Sequence, residues 1–207
     1  MRIGIIGAGH IGGTLARLFT RAGHEVAVSN SRGPDTLRGL VAELGDRARA
    51  ATPAEAARFG EVVVVAIPFG RYRELPADAL AGKIVIDTNN YFPQRDGNIP
   101  ELAAGRATSS ELLQRHLSGA RLVKAFNAIR WDHLRDLGRP AGAPDRIAIP
   151  IAGDDAEAKA VVGKLIDQLG FDPVDAGGLA EGRRFQPGTP LFVTDLPAGE
   201  VRRRLAA

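Results

Sequence analysis

The hydrophobic pattern at the start of the chain predicts a strand, a helix and a second strand. Residues 2–6 form a short apolar run rich in isoleucine, which is typical of a buried strand. Leu15, Leu18 and Phe19 then recur at helical spacing. Residues 24–29 place Val26 and Val28 on one face of a second strand.

Further apolar runs continue this alternation of strands and helices. The uninterrupted run at 62–67 predicts a strand that is buried on both faces of a parallel sheet. We therefore predict an α/β fold with a doubly wound parallel sheet. The other predicted strands span residues 47–51, 83–87, 122–127, 146–152 and 171–174, and the other predicted helices span residues 37–44, 53–59 and from a cap at 153–155 to about 169.

A glycine motif separates the first strand from the first helix. Gly7, Gly9 and Gly12 have the G-x-G-x-x-G spacing in the strand–turn–helix context that dinucleotide binding requires. In such a motif Gly7 allows the tight turn, Gly9 lets the backbone approach a diphosphate, and Gly12 lets the helix pack closely. The free N–H groups near His10, Ile11 and Gly12 favour an anion. The motif predicts a Rossmann NAD(P)-binding fold.

In this interpretation the chain divides near residue 127. Residues 1–127 form the dinucleotide-binding domain. Residues 128–207 form a small C-terminal α/β annex, and we expect it to act as a lid over the nicotinamide end of the site.

The segment after the second strand favours NADP over NAD. An NAD site has Asp or Glu there to bind the ribose 2′-hydroxyl, whereas this chain has Asn30, Ser31 and Arg32. A guanidinium and a hydroxyl would bind the 2′-phosphate that a carboxylate repels, and Asn30 would bind the ribose or the phosphate. The alternative is that residues 30–34 form only a polar turn.

Residues at the ends of later strands are candidates for the rest of the cofactor site. Ligands bind beyond the carboxyl ends of the strands in such sheets, where the ribose and nicotinamide would lie. Each residue also has a simpler explanation, since Pro68 ends a strand and Lys124 suits a surface charge on an edge strand. The candidates are Ala66, Ile67, Pro68, Asn89, Lys124, Ala125 and Asn127.

Composition excludes several other classes of protein. With 44% hydrophobic and 25% charged residues, the 207-residue chain is not a disordered protein. The absence of cysteine and the spacing of the four histidines argue against disulfides and metal sites. The net charge of +3 comes from arginines interspersed with acids, so we expect no nucleic-acid partner. Without a signal peptide or a membrane-length apolar run, the chain is expected to be cytoplasmic.

The sequence offers few groups for acid–base catalysis. Neither Tyr72 nor Tyr91 has a lysine four residues later, and His133 suits an ordinary surface position. Lys124 is the one lysine near the predicted site, as an acid or as an anchor. This scarcity suits hydride exchange between two cofactors, in which stacking and orientation carry the catalysis.

These motifs identify a family. Over nearly its whole length the chain resembles the F420-dependent NADP oxidoreductases, small proteins related to the reductase domain of membrane ferric reductases. The resemblance rests on the glycine motif and on residues 30–33, 65–68, 124–127, 153–155, 175–177 and 189–190.

The resemblance implies an NADP(H)-dependent enzyme that exchanges hydride with coenzyme F420, a deazaflavin, or with a flavin. It implies that Ser31 and Arg32 hold the 2′-phosphate, that residues 9–12 hold the diphosphate, and that Ile67 and Pro68 border the nicotinamide. It also implies a homodimer. The positions implied to line the deazaflavin pocket are Asn127, Ile129, Arg183 and Thr189.

Two other functions stay open at this point. One is an NADPH-dependent reductase of a small carbonyl or imine, in which Lys124 or Asn127 orients the polar group as a candidate catalytic residue. The other is a non-catalytic module that binds NADPH.

Asn127 stands where archaeal members of the family carry histidine.

Overall fold

A computed structural model describes all 207 residues and contains one eight-stranded sheet. The strand order is β3-β2-β1-β4-β5-β6-β7-β8, and every neighbouring pair is parallel except β6 and β7. The α/β doubly wound sheet predicted from the sequence is therefore confirmed. The strands are β1 (Arg2–Ile6), β2 (Glu25–Ser29), β3 (Ala48–Ala51), β4 (Val62–Val65), β5 (Ile84–Asp87), β6 (Arg121–Lys124), β7 (Ala148–Gly153) and β8 (Asp172–Asp175).

Helices cover both faces of this sheet and follow most of the strands. The predicted first helix and the long helix of the second half are present, whereas the helices at 109–116, 131–136 and 198–206 were not predicted. The helices are α1 (His10–Arg21), α2 (Arg38–Leu44), α3 (Pro53–Phe59), α4 (Ala77–Leu80), α5 (Pro93–Asp96), α6 (Pro100–Ala103), α7 (Ser109–His116), α8 (Trp131–Asp136), α9 (Ala156–Gln168) and α10 (Ala198–Ala206).

The sixth strand is shorter than its apolar run predicts. It ends at Lys124 rather than at Asn127 because Phe126 adopts a left-handed backbone conformation, with φ of 61°. The N–H of Ala125 still donates to the carbonyl of Asp87, so the turn begins directly after the strand. This turn directs Asn127 away from the strand direction and toward the second half of the chain, where it contacts the carbonyl of Phe185.

The second half extends the sheet instead of forming a separate layer. Strand β7 pairs antiparallel with β6, through Val123 opposite Gly153 and Lys124 opposite Ala152. One buried hydrophobic cluster includes Ile3 of β1 and also residues of β7 and α9. The two halves therefore share both a sheet and a core, while the division near residue 127 stays a prediction about chain organisation.

A buried polar cluster joins the carboxyl ends of β5 and β6 to α7. The Lys124 ammonium lies 3.6 Å from the Asp87 carboxylate and donates to Ser110 Oγ at 3.0 Å and to the Asn89 carbonyl at 3.1 Å. Ser110 Oγ in turn donates to Asp87 Oδ2 at 2.6 Å. Lys124 is 1% exposed and Asp87 is fully buried. Lys124 is thus an internal charge rather than a surface one.

Burial and the neighbouring carboxylate act in opposite directions on this lysine. Burial lowers the pKa of the Lys124 ammonium, and the Asp87 carboxylate opposes that shift by stabilising the charged form. A buried ion pair of this kind adds little stability compared with an apolar pair of the same size. Removing one partner, however, leaves the other charge unpaired in the interior.

We predict that Lys124→Met lowers the free energy of unfolding by about 3–5 kcal/mol, because Asp87 then lacks its counter-charge. Urea denaturation measures this loss. The double variant Asp87→Asn/Lys124→Met is the matched control, and it should regain part of the stability because it leaves no buried charge. A loss under about 1 kcal/mol in the single variant would contradict the role of the pair.

Candidate dinucleotide-binding site

A cleft of about 530 Å³ opens at the carboxyl ends of β1, β2 and β4. It lies where the strand order reverses between β1 and β4, which is the position at which doubly wound sheets bind ligands. Its walls come from the turns after these strands, the start of α3 and the short 3-10 helix at 69–74. The lining residues are Ile6, Gly7, Ala8, Gly9, Asn30, Ser31, Arg32, Gly33, Thr52, Pro53, Ala66, Ile67, Pro68, Arg71, Glu74 and Leu75.

The glycine turn is built by close backbone contacts at two positions. Gly7 has φ of 109°, and a Cβ there would lie 2.1 Å from the Ala66 carbonyl oxygen. A Cβ on Gly12 would lie 1.8 Å from the Gly7 carbonyl oxygen, so only glycine lets α1 start this close to β1. In contrast, a Cβ on Gly9 would meet no protein atom within 4 Å. Gly9 therefore faces open space beside the cleft.

The first turn of α1 carries no capping side chain. Gly9 is the N-cap, it supplies no side-chain hydrogen bond, and the turn contains no acidic residue. The first N–H groups of a helix have no partner within the helix, so those of His10, Ile11 and Gly12 are available to an anion. His10 lines an adjacent groove. Ile11 packs against the hydrophobic core, and Gly12 lies against the Gly7 carbonyl.

The loop after β2 leaves one cation without a protein partner. Asn30 Oδ1 accepts from the N–H of Arg32 at 2.9 Å, and Asn30 Nδ2 donates to Thr36 Oγ1 at 2.9 Å. Asn30 therefore shapes the loop through its side chain. Ser31 and Arg32 are exposed, and the Arg32 guanidinium forms no hydrogen bond or ion pair with the rest of the chain. No carboxylate follows β2 within this loop.

Two asparagines at the ends of later strands have buried polar atoms without partners. Asn89 Oδ1 accepts from the Ile67 N–H at 3.0 Å, which leaves its Nδ2 unpaired. Asn127 Nδ2 donates to Asn90 Oδ1 at 3.1 Å and to the Phe185 carbonyl at 3.0 Å, which leaves its Oδ1 unpaired. Such buried groups cost free energy unless a ligand or water pairs with them.

The structure brings the predicted adenosine-end residues together but separates the residues predicted to line the deazaflavin pocket. Of these, Ile129 is buried in the core, as is the strand-end candidate Ala125. Arg183 lines a different cavity of about 190 Å³, beside Tyr91 and Gln186. The Thr189 hydroxyl donates to the Gln186 carbonyl at 2.8 Å. These positions do not form one open pocket with the cleft.

Several lining residues were absent from the sequence prediction. Thr52 and Pro53 begin α3 just after β3, with Thr52 and Glu55 forming a capping box. The sequence could have predicted Thr52 and Pro53, because they directly follow β3, which neighbours β2 and ends at the same edge of the sheet. Arg71 and Glu74 pair with each other across the cleft wall at 2.5 Å.

Trp131 is a further residue that the sequence did not indicate. Its indole stacks on the His10 ring with 4.7 Å between the ring centroids and 18° between the ring planes. Both rings border a groove of about 610 Å³ that shares Ala8, Gly9 and Arg32 with the cleft. No pattern local to either residue could have predicted this contact, since they come from opposite halves of the chain.

The structure contains no cluster of three or more His, Asp or Glu side chains that could hold a metal ion. None of its helices combines the length and the apolar character needed to cross a bilayer.

Sequence comparisons match the chain to a family of oxidoreductases. A family model described as "NADP oxidoreductase coenzyme F420-dependent" matches residues 2–91, which include β1 to β5 and the cleft. The rat metalloreductase STEAP3 is 33% identical over 208 residues, covering 99% of this chain. This chain spans only 39% of the length of STEAP3.

Solved structures show the same relationship along the whole chain. Protein SMa0349 of Sinorhizobium meliloti is 32% identical with a TM-score of 0.81, and the match covers 95% of both chains. A protein of Arthrobacter sp. FB24 that is proposed to be an F420-dependent NADP reductase is 30% identical with a TM-score of 0.74. That match covers 87% of this chain and 86% of the Arthrobacter chain. The fold, the glycine turn and these matches agree: the chain belongs to the family of F420-dependent NADP oxidoreductases.

Proposed function

We propose that the chain binds NADP(H) in the cleft and exchanges a hydride between its nicotinamide and coenzyme F420 or a flavin. The observation that carries the proposal is the free Arg32 guanidinium beside Ser31 at the end of β2. An exposed arginine without a counter-charge, in a loop that lacks a carboxylate, suits a 2′-phosphate better than a 2′-hydroxyl.

The residues of the cleft fit the rest of the dinucleotide. Gly9 leaves the approach to the α1 N-terminus open, and this end of the helix carries the partial positive charge that a diphosphate needs. Ile67 and Pro68 offer an apolar border next to Ala66 for a planar ring. A cleft of about 530 Å³ is within the size range of small-molecule sites.

At the nicotinamide end we assign polar contacts to Asn89 and Asn127. The Asn89 Nδ2 is a donor and the Asn127 Oδ1 an acceptor, and each is buried without a partner. Bound NADP(H) supplies the hydride chemistry, and these amides would orient its polar groups. For Lys124 the burial and its three partners favour the role of an anchor over that of a proton donor.

The proposed second substrate follows from what the site lacks. Apart from Arg32, the charged side chains that line the cleft are Arg71 and Glu74, which pair with each other, so the cleft offers little for proton transfer. Hydride exchange between two ring systems needs alignment more than acid–base groups. The family and the Arthrobacter relative support F420 as the partner, and a flavin stays the alternative ring system. A cytoplasmic location and a homodimer stay predictions.

An assay of hydride exchange tests this proposal. The protein is mixed with NADPH and oxidised F420, FMN or FAD in separate reactions, and the absorbance of both partners is followed. We expect F420 or one flavin to be reduced in step with NADPH oxidation. NADPH binding without reduction of any of the three would contradict the proposed second substrate while leaving cofactor binding intact.

We predict that Arg32→Ala weakens NADPH binding by about 10- to 100-fold and NADH binding by less than about twofold, because only NADPH carries the 2′-phosphate. Calorimetric titration with each cofactor measures both constants. Arg38→Ala is the matched control, since Arg38 is exposed nearby but already pairs with Asp35. Equal losses of the two cofactors in Arg32→Ala would remove Arg32 from the phosphate site.

We predict that Gly9→Val abolishes NADPH binding while leaving the melting temperature close to that of the wild type. Its side chain would project into the open space of the cleft, where it meets the ligand and no protein atom. Gly12→Val is the comparison, because its side chain would collide with the Gly7 carbonyl and destabilise the fold itself. Retained affinity in a folded Gly9→Val variant would show that the turn is only a connector.

A further inference from the structure

The stack of His10 and Trp131 connects the glycine turn to the second half of the chain. His10 is the first residue of α1, and Trp131 is the first residue of α8. Their nearly parallel rings lie at the distance of a favourable aromatic stack. The Arg135 guanidinium also lies 5.1 Å from the centroid of the Trp131 ring, which adds a cation–π contact to the indole.

The stack fixes the His10 ring without using its nitrogen atoms. His10 forms no hydrogen bond and no ion pair with any residue of the chain, whereas His24, His116 and His133 each have a polar contact. Trp131 is 36% exposed and is one of two exposed large hydrophobic residues. The exposed indole thus holds the imidazole in place and leaves both ring nitrogens of His10 free to contact a ligand.

The charges around this groove single out the same position. Arg17 is held by Glu43 at 2.6 Å, and Arg135 is held by Asp136 at 2.6 Å, so both are neutralised. The Arg32 guanidinium and the His10 imidazole are the groove's titratable or charged groups that lack a partner. His10 directly follows Gly9, and both Gly9 and Arg32 line the cleft as well as the groove.

We propose that the His10 imidazole is a side-chain ligand of the cofactor diphosphate and that Trp131 is the residue that positions it. The inference rests on the proposed function, since it assigns an additional contact in the same dinucleotide site. Arg32 would then select for the 2′-phosphate, while His10 would bind the diphosphate that all nicotinamide dinucleotides share. The second half of the chain would thus contribute to cofactor affinity through one stacking contact.

Calorimetric titration of His10→Gln, Trp131→Leu and their double variant tests the proposal with NADPH and NADH. We expect each single variant to lose about tenfold in affinity for both dinucleotides alike, since the diphosphate is common to them. The double variant should lose no more than His10→Gln alone, because Trp131 acts through His10. Trp131→Phe keeps an aromatic ring for stacking and should bind nearly as the wild type does.

Three results would overturn the inference. They are wild-type affinity in both single variants, additive losses in the double variant, and a loss in Trp131→Leu that Trp131→Phe does not restore. A wild-type protein that binds neither dinucleotide would instead refute the proposed function. Trp131 is the single tryptophan of the chain, so a change of its emission on adding NADP⁺ would independently support contact near the stack.

Discussion

The close approach of three backbone segments is the constraint on which the proposed cofactor site depends. Gly7, Gly12 and Ala66 bring the end of β1, the start of α1 and the end of β4 so near to one another that a single added methyl group would overlap a carbonyl oxygen. This proximity places the α1 N-terminus directly over the reversal point of the sheet, where the free N–H groups face the cleft. The neighbouring cavity, the free arginine and the stacked histidine are all arranged around that point.

A second constraint acts at the carboxyl ends of β5 and β6. The Asp87–Lys124 pair and Ser110 fix the main chain after β5, because Asn89 receives one hydrogen bond from the lysine and donates another to the aspartate. The Asn89 side chain is in turn held by the N–H of Ile67 just after β4, so its free amide nitrogen has a fixed direction. The buried charges therefore orient the neutral Asn89 through its main chain.

The sequence predicted the parts of the fold whose signals are local. The glycine spacing, the valine run of β4 and the loop around Arg32 all mark their structure within a few residues. Lys124 suited a surface charge because nothing in its own strand indicates that α7 covers it with Ser110. The Trp131 stack depends on how the second half folds back onto the first, which is a tertiary property. Local patterns determine elements, but they do not determine which side chains from distant elements meet.

The antiparallel pairing of β6 with β7 has a consequence for motion. Dehydrogenases built from two separate domains can open and close about a hinge between them. Here two residue pairs between β6 and β7 and a common apolar core join the halves, so a rigid-body rotation would have to break these main-chain contacts. We therefore expect entry and release of a reactant to involve the turns and short helices at 88–108 and the irregular segment at 185–197, which share a cavity through Tyr91 and Gln186.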